Sequence, residues 1–398
     1  MLPETPPGPT IEPSGEITFR VASDEQWRPQ RVWFHLRDFG ADPTFERAGE
    51  LWVARIPRPP VARLEYLLDI VSTDGQRHLV CDPANPRRVP GVFGDKSVVE
   101  LPGYAEPGWL HEELPANEPA GDWQVVSFGA DEAGPGSDLR RLRWAQLRPA
   151  GKGEGPAGEG EHAVVDTSSS LAAVGSLLAP AGSRPEDPLP LLLVHDGPEY
   201  AQLAALPRYL RVLAARDPAL RCRVLLLRPV DRDRSYSASP GYARALAEGL
   251  LPEVRAAVAV RRPLVGVGAS LGGLAMTHLA LTRPGSLGGV LAQSGSFFAP
   301  DTDSMELGYR FFDRVADFVA GLDADPARLR GLRIALTCGT GEENLMNNRR
   351  THRRLLAAGV PTTLTENPDG HTYTGWRDSL NPALADLLRA VWAPKPPA

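Results

Sequence analysis

From Leu171 onward, unbroken apolar runs alternate with segments of helical period: LAAVGSLLAP, LPLLLVHDG and CRVLLLRPV, then ARALAEGLLPEVRAAV, LVGVGAS, GGLAMTHLAL, GGVLAQSGS and LRIALTCGT. A strand covered on both faces has no polar side to show, and helices between such strands return the chain to begin the next one in parallel. The rhythm therefore predicts an α/β architecture with a mainly parallel sheet over the C-terminal two thirds of the chain. In open sheets of this kind the reactive groups gather at the carboxyl ends of the strands, so the residues just after each run are the ones that matter.

The N-terminal part reads differently. Between Glu16 and Leu101 the segments EITFRVAS, RVWFHLRDF, LWVARIP and RLEYLLDIVST alternate apolar and polar positions and are separated by Pro, Gly, Asp and Glu clusters. Short half-buried strands at this spacing predict a small immunoglobulin-like β-sandwich. Alternation also assigns Trp33, Phe34, Trp52 and Tyr66 to core packing, with a sugar-binding platform as the alternative. The prolines of Asp82-Pro83-Ala84-Asn85-Pro86 end the regular ladder. Residues 102–138, rich in Pro, Gly and acids, mark a boundary, and Gly151–His162 (GKGEGPAGEGEH) reads as a mobile loop. The division expected is a β-sandwich over residues 15–120 and an α/β domain over 121–398.

A chain of 398 residues has ample length for two cores, and 42% hydrophobic with 23% charged residues is ordinary for a folded protein. The net charge of -6 offers no basic footprint for nucleic acid or an anionic membrane, which leaves a small-molecule partner as the expectation. Cys81, Cys222 and Cys338 are widely spaced, with neither a disulfide framework nor zinc spacing, and the latter two fall in apolar runs. The first residues, MLPETPPGPTIEPSGE, lack the basic start and apolar centre of a secretion signal, and no run has the ~18 apolar residues needed to span a bilayer, so the expected location is the cytoplasm.

Gly268-Ala269-Ser270-Leu271-Gly272 stands between a short strand, Leu264–Gly268, and a helical segment running from Gly272. A serine on a sharp strand-to-helix turn has its hydroxyl lifted above the sheet, flanking glycines avoid clashes, and the helix N-terminus favours developing negative charge, which makes Ser270 the candidate nucleophile of an α/β-hydrolase fold. A serine needs a base. His371 follows the run PTTLTE and precedes a helical tail, the placement of a last-strand base; His278 on the nucleophile helix, His352 among arginines and His195 at a strand end are the alternatives. The imidazole needs a carboxylate, and Glu342, after IALTC, gives the chain order Ser, acid, His; Asp369 is the next alternative. Two backbone amides must hold the oxyanion: Leu271, after the nucleophile, and, in the loop His195-Asp196-Gly197-Pro198, Gly197 or a residue beyond Pro198, since Pro198 has no N–H. Neither a metal nor an organic cofactor is called for by this chemistry.

These motifs together resemble the enterochelin esterase (Fes-like) family of the esterase D group. The resemblance runs through the N-terminal strands with Asp82-Pro83-Ala84-Asn85-Pro86, His195-Asp196-Gly197, Gly268-Ala269-Ser270-Leu271-Gly272-Gly273 and Gln293-Ser294-Gly295-Ser296-Phe297. It continues to Gly339-Thr340-Gly341-Glu342 and Gly370-His371 with Trp376-Arg377. It implies hydrolysis of ferric catecholate siderophore trilactones in the cytoplasm without a metal in the catalytic machinery, with Ser270 and His371 at the positions of nucleophile and base. The chain departs from the family at Ser235, where a glutamate is common, and at Pro198, where related acyltransferases use a backbone amide.

Arg234, Tyr236, Trp376 and Arg377 are the candidates for binding the substrate, the arginines through charged hydrogen bonds to catecholate or carboxylate oxygens; surface arginines and a Trp376 that anchors the last helix are the plainer readings. Two other functions fit the same sequence: a general or carbohydrate acyl esterase or acyltransferase, and a non-catalytic binding protein that keeps the hydrolase fold.

Overall fold

A computed structural model of the chain describes residues 8–23, 28–35, 44–114, 124–131, 145–146, 171–180 and 182–393. The glycine-rich stretch 151–162, read above as a mobile loop, lies outside the described residues.

The alternating N-terminal segments form two antiparallel sheets. One orders Thr10–Ile11, Ile17–Ala22, Leu51–Ile56 and Glu46–Ala48; the other orders Pro29–His35, Arg63–Ser72, Lys96–Glu100 and Arg88–Val89, with Arg77–Val80 paired to Arg63–Ser72. The period of two places Ile17, Phe19, Val21, Trp52, Ala54 and Ile56 from one sheet in the same core as Val32, Phe34, Tyr66, Leu68 and Ile70 from the other. This is the expected sandwich. Its aromatic centre packs edge to face, with the Phe19 and Phe34 rings 4.6 Å apart and Phe19 and Tyr66 5.1 Å apart. Phe34, Trp52 and Tyr66 are thereby core residues, and Trp33 is half-buried beneath the Arg77 guanidinium. The Asp-Pro-Ala-Asn-Pro turn is knotted beneath the second sheet: the Tyr66 hydroxyl donates to Asp82 at 2.7 Å, and the Asn85 amide donates to Tyr66 Oη and to the Val98 carbonyl.

The second part is a nine-stranded sheet in the order 145–146, 124–131, 171–178, 223–229, 189–194, 260–269, 289–293, 333–339, 362–367. The pairings from Arg223–Pro229 through Leu189–Val194, Val260–Ala269, Gly289–Gln293 and Arg333–Gly339 are parallel; those of Gln124–Asp131 and Leu171–Leu178 are antiparallel. The fold is α/β, of the α/β-hydrolase kind with an N-terminal β-sandwich. Strand Gln124–Asp131 falls within the stretch that reads as a boundary in sequence, because its polar and glycine positions hide a ladder that only pairing with Leu171–Leu178 reveals. Strand Val260–Ala269 starts earlier than its apolar run: Arg261, Arg262 and Pro263 interrupt the hydrophobic pattern, yet Val260 and Arg261 pair with Leu189 and Pro190. The segment 243–258, which reads as one helix, is a short helix Pro240–Arg244, a π-helical turn Ala245–Leu250 and a helix Leu251–Ala257. Pro252 cannot donate to a carbonyl one turn back, and a wide turn before it accommodates that loss.

The chain clusters into two compact units. One comprises Met1–Pro107, Cys338–Leu345 and Glu366–Asp378; the other comprises Gly108–Thr337, Met346–Thr365 and Ser379–Ala398. The loops after strands Arg333–Gly339 and Thr362–Asn367 thus belong to the unit that holds the sandwich.

Candidate active site

Ser270 ends strand Val260–Ala269 and precedes helix Leu271–Thr282, with φ 55° and ψ -126°. A non-glycine residue in this region is strained, and strain of this kind persists where the surroundings over-determine it. They do so here. The Ser270 N–H donates to the Gln293 carbonyl at 2.8 Å, and its own carbonyl accepts from the amides of Gly273, Leu274 and Ser296. A Cβ on Gly268 would stand 2.4 Å from the Gly272 carbonyl carbon, so only glycine lets strand and helix approach this closely. Leu271 is the first residue of the helix, where geometry leaves its amide without an intrahelical partner. The Ser270 hydroxyl lies 3.0 Å from that of Ser296.

The loop after Leu189–Val194 is held on three sides. His195 is fully buried, and its Nδ1 faces the Gly272 carbonyl at 2.8 Å, which makes Nδ1 the protonated nitrogen. Burial pushes its pKa down to about 4, so the ring is neutral and ties the loop to helix Leu271–Thr282. Asp196, in the left-handed region at φ 49°, accepts a bidentate pair from Arg232, and its amide donates to the Tyr236 hydroxyl at 3.1 Å. Gly197 opens helix Gly197–Gln202 and packs so closely on Leu226 that a Cβ would fall 2.5 Å from that residue's Cα.

Glu342 and His371 lie in the other unit, three residues beyond strand Arg333–Gly339 and four beyond Thr362–Asn367. His371 Nδ1 meets Glu342 Oε2 at 2.8 Å, and Glu342 Oε1 accepts the Gly339 N–H at 2.7 Å, so both carboxylate oxygens are fixed. The Glu342 side chain is 1% exposed against 15% for His371. Nδ1–H donating to the carboxylate leaves Nε2 as the basic nitrogen. The two loops are laced together by Thr340 N–H to the Asn367 carbonyl and Gly341 N–H to that of Asp369. Asp369, the alternative acid, does not touch the imidazole. It lies 3.6 Å from Arg63 and accepts from the Gly370 amide. Its pKa is pushed up to about 7, chiefly by burial, with Arg63 opposing and Glu65 adding to the rise. Arg63 in turn holds Glu65 at 2.8 Å, Ala62 N–H donates to the Pro368 carbonyl, and Thr340 bonds the Pro60 carbonyl. Sandwich residues therefore seat the loops that carry His371 and Glu342 within one unit.

Of the other histidines, His278 is buried edge-on against Phe318, its pKa lowered to about 4 by burial, and His352 sits on helix Leu345–Ala357. The residues expected to bind substrate are placed unevenly. Arg234 is exposed on helix Arg232–Tyr236. Tyr236 is fully buried, its ring lies 4.3 Å from that of His195 and its hydroxyl receives the Asp196 amide, so it supports the loop. Arg377 is held by Asp378 at 2.7 Å, Tyr104 at 3.1 Å and Glu106 at 3.2 Å. Trp376 is buried with its ring edge-on to His371, 5.0 Å between centroids, so it walls the imidazole. Sequence reasoning assigned no role to Ser296, Arg232 or Arg63. Ser296 lies within the quoted Gln-Ser-Gly-Ser-Phe motif, while the two arginines are indistinguishable from others in an arginine-rich chain. Among the described residues, no group of three or more His, Cys, Asp or Glu side chains is placed to hold a metal ion, and no helix is long and apolar enough to cross a membrane.

A serine on a strained strand-to-helix turn of an α/β-hydrolase fold is the arrangement found in serine carboxylic-ester hydrolases. Residues 174–387 match the family model Esterase ("Putative esterase"), and the chain belongs to that family. It is 27% identical over 219 residues to the iron(III) enterobactin esterase of Escherichia coli K12 and 26% identical to that of strain CFT073, matches that cover 53% of this chain. The chain spans about half the length of these curated relatives (52%). In overall structure it is similar to the ferric enterobactin esterase of Salmonella typhimurium, with TM-score 0.67 and 20% identity over 98% of this chain and 97% of that one. The Shigella flexneri enterobactin esterase, solved in the presence of enterobactin, gives TM-score 0.67 and 19% identity, covering 96% of each chain. The resemblance stated from the motifs is thereby borne out, and the structural likeness supports the fold.

Proposed function

We propose that Ser270, His371 and Glu342 form the catalytic triad of a cytoplasmic esterase that hydrolyses the ester bonds of ferric catecholate siderophore trilactones. The observation that carries the reading is the His371–Glu342 pair at 2.8 Å, with the second carboxylate oxygen locked on the Gly339 amide. A buried carboxylate held this way fixes one tautomer and stabilises the imidazolium that forms when the base takes a proton. His371 Nε2 removes the Ser270 proton, Ser270 Oγ attacks the ester carbonyl, and the proton passes to the leaving alcohol. Water, deprotonated by the same histidine, then releases the acid and regenerates Ser270. The amides of Leu271 and Gly197, each at the first position of its helix, are the donors we assign to the oxyanion. Arg234 is the residue assigned to the anionic catecholate.

Tyr236 and Arg377 are committed to structure, which favours as a second reading an esterase of broader acyl range. A hydrolysis panel of a ferric catecholate trilactone, an acetylated sugar and p-nitrophenyl esters separates the two. The siderophore reading expects the trilactone to give the highest kcat/KM and Ser270→Ala to lose at least about 10³-fold on every ester. Trilactone turnover no better than that of simple aryl esters would remove the siderophore assignment. Wild-type turnover by Ser270→Ala would remove the triad.

A further inference from the structure

The residues around Ser296 are built at considerable cost. Ser294 is held in the left-handed region at φ 49°, with its amide donating to the Thr337 carbonyl. Gly295 has no room for a side chain: a Cβ would fall 2.3 Å from the Phe297 ring. The side chain of Asn348 clasps both polar groups of the Gly295 backbone, accepting from its N–H at 3.2 Å and donating to its carbonyl at 2.9 Å. Asn348 also donates to Asn347 at 2.9 Å, and Asn347 donates to Asp303 at 3.0 Å. The other Asp303 oxygen accepts the Ala299 amide and the Thr302 hydroxyl. Asn347, Asn348 and Asp303 are all buried. Buried amides and a buried carboxylate are expensive unless every bond is made, and a network completed in this way holds its backbone in one geometry. What that geometry delivers is a single side chain, the buried Ser296 hydroxyl, 3.0 Å from Ser270 Oγ, with the Ser296 amide bonded to the Ser270 carbonyl at 3.2 Å.

We infer that Ser296 is a further catalytic residue, a fixed hydroxyl donor to Ser270 Oγ that stabilises the charge on that oxygen as it attacks and again as it leaves. The inference rests on Ser270 being the nucleophile. Each hydroxyl has one proton to give. Once the Ser270 proton is directed to the base, the hydrogen bond between the two serines is made with the proton of Ser296. As the Oγ–carbon bond forms and the Ser270 proton departs, negative charge rises on Oγ and the bond from Ser296 becomes charge-assisted. In the second half-reaction the same oxygen is the leaving group, and the same bond supports it while the base returns its proton. Ser296 keeps its own proton throughout, so the balance of the reaction is unchanged. The donor is preorganised, since the buried network behind it fixes its position before substrate arrives.

The test compares wild type with Ser296→Ala, Ser296→Cys and Ser270→Ala on a p-nitrophenyl ester, together with the rate of covalent labelling by a fluorophosphonate, each at a temperature where melting shows the variant folded. Ser296→Ala is expected to lose about 10- to 100-fold in kcat with KM nearly unchanged, to slow labelling by a similar factor, and to shift Tm little. Ser296→Cys, which retains a weaker donor of similar shape, should fall between the two. An unchanged or faster rate in Ser296→Ala, a loss confined to KM, or a cysteine variant no better than alanine overturns the proposal. Activity persisting in Ser270→Ala would instead overturn the nucleophile assignment, so the two failures are distinguishable.

Discussion

Glu342 is the residue on which the electrostatics of the proposed base turn. Both its oxygens are occupied, by His371 and by the Gly339 amide, and its side chain is almost wholly withdrawn from water. Glu342→Gln retains the shape but loses the charge that stabilises the imidazolium, and its amide can present N–H where the histidine needs an acceptor. The expected loss is about 10²- to 10⁴-fold in kcat with the melting temperature little changed, measured by steady-state hydrolysis alongside thermal unfolding. Asp369, two residues from His371, has a different consequence. Its folded pKa of about 7 stands above the ordinary value because burial disfavours the carboxylate. Between the unfolded value and about 7 the folded state therefore holds more protons than the unfolded chain, and this group's contribution makes stability fall as pH rises through that window. Asp369→Asn should remove that slope: the difference in Tm between variant and wild type, followed from pH 5 to 8, should move in favour of the variant as pH rises. A difference independent of pH would contradict it.

At the scale of elements, the strand Val260–Ala269 and the helix Leu271–Thr282 approach so closely at Gly268 and Gly272 that a single methyl decides whether the turn forms. With a Cβ placed 2.4 Å from the Gly272 carbonyl carbon, Gly268→Ala must push helix from strand, since the obstacle is backbone with no rotamer to yield. A loss of roughly 2 kcal/mol or more in urea unfolding, with an accompanying fall in fluorophosphonate labelling of Ser270, is the expected outcome. The sandwich strands are governed by a simpler rule. Alternation alone places Phe19, Phe34 and Tyr66 in one core, and their edge-to-face contacts follow from that placement.

For the molecule as a whole, the sandwich and the loops carrying His371 and Glu342 fall into one compact unit. Arg63, on a sandwich strand and 3% exposed, stands between Glu65 and Asp369. Its removal takes the guanidinium from two buried carboxyl groups, leaving Glu65 to Lys96 and Asp369 to the Gly370 amide and the Thr372 hydroxyl. Arg63→Ala is expected to cost about 3 kcal/mol of stability and to lower kcat by loosening the His371 loop, read by chemical unfolding and ester hydrolysis. Stability loss with kcat intact would show that Arg63 does not position the His371 loop.

Periodicity and turn chemistry in the chain alone determined the parallel sheet, the sandwich and its core, the strand-to-helix turn at Ser270, and the places of Glu342 and His371 just beyond strand ends. Each of these rests on residues within a few positions of one another, where covalent geometry and burial pattern act directly. The tertiary structure decided the rest. It seated Asp369 on Arg63 and left Glu342 to meet His371, it buried Tyr236 beneath His195, it paired Arg377 with Glu106, and it brought the Ser296 hydroxyl to Ser270. Those outcomes depend on contacts between residues tens to hundreds of positions apart. Which of several identical arginines or serines meets a given partner is set by the packing of whole elements, and no local pattern encodes it.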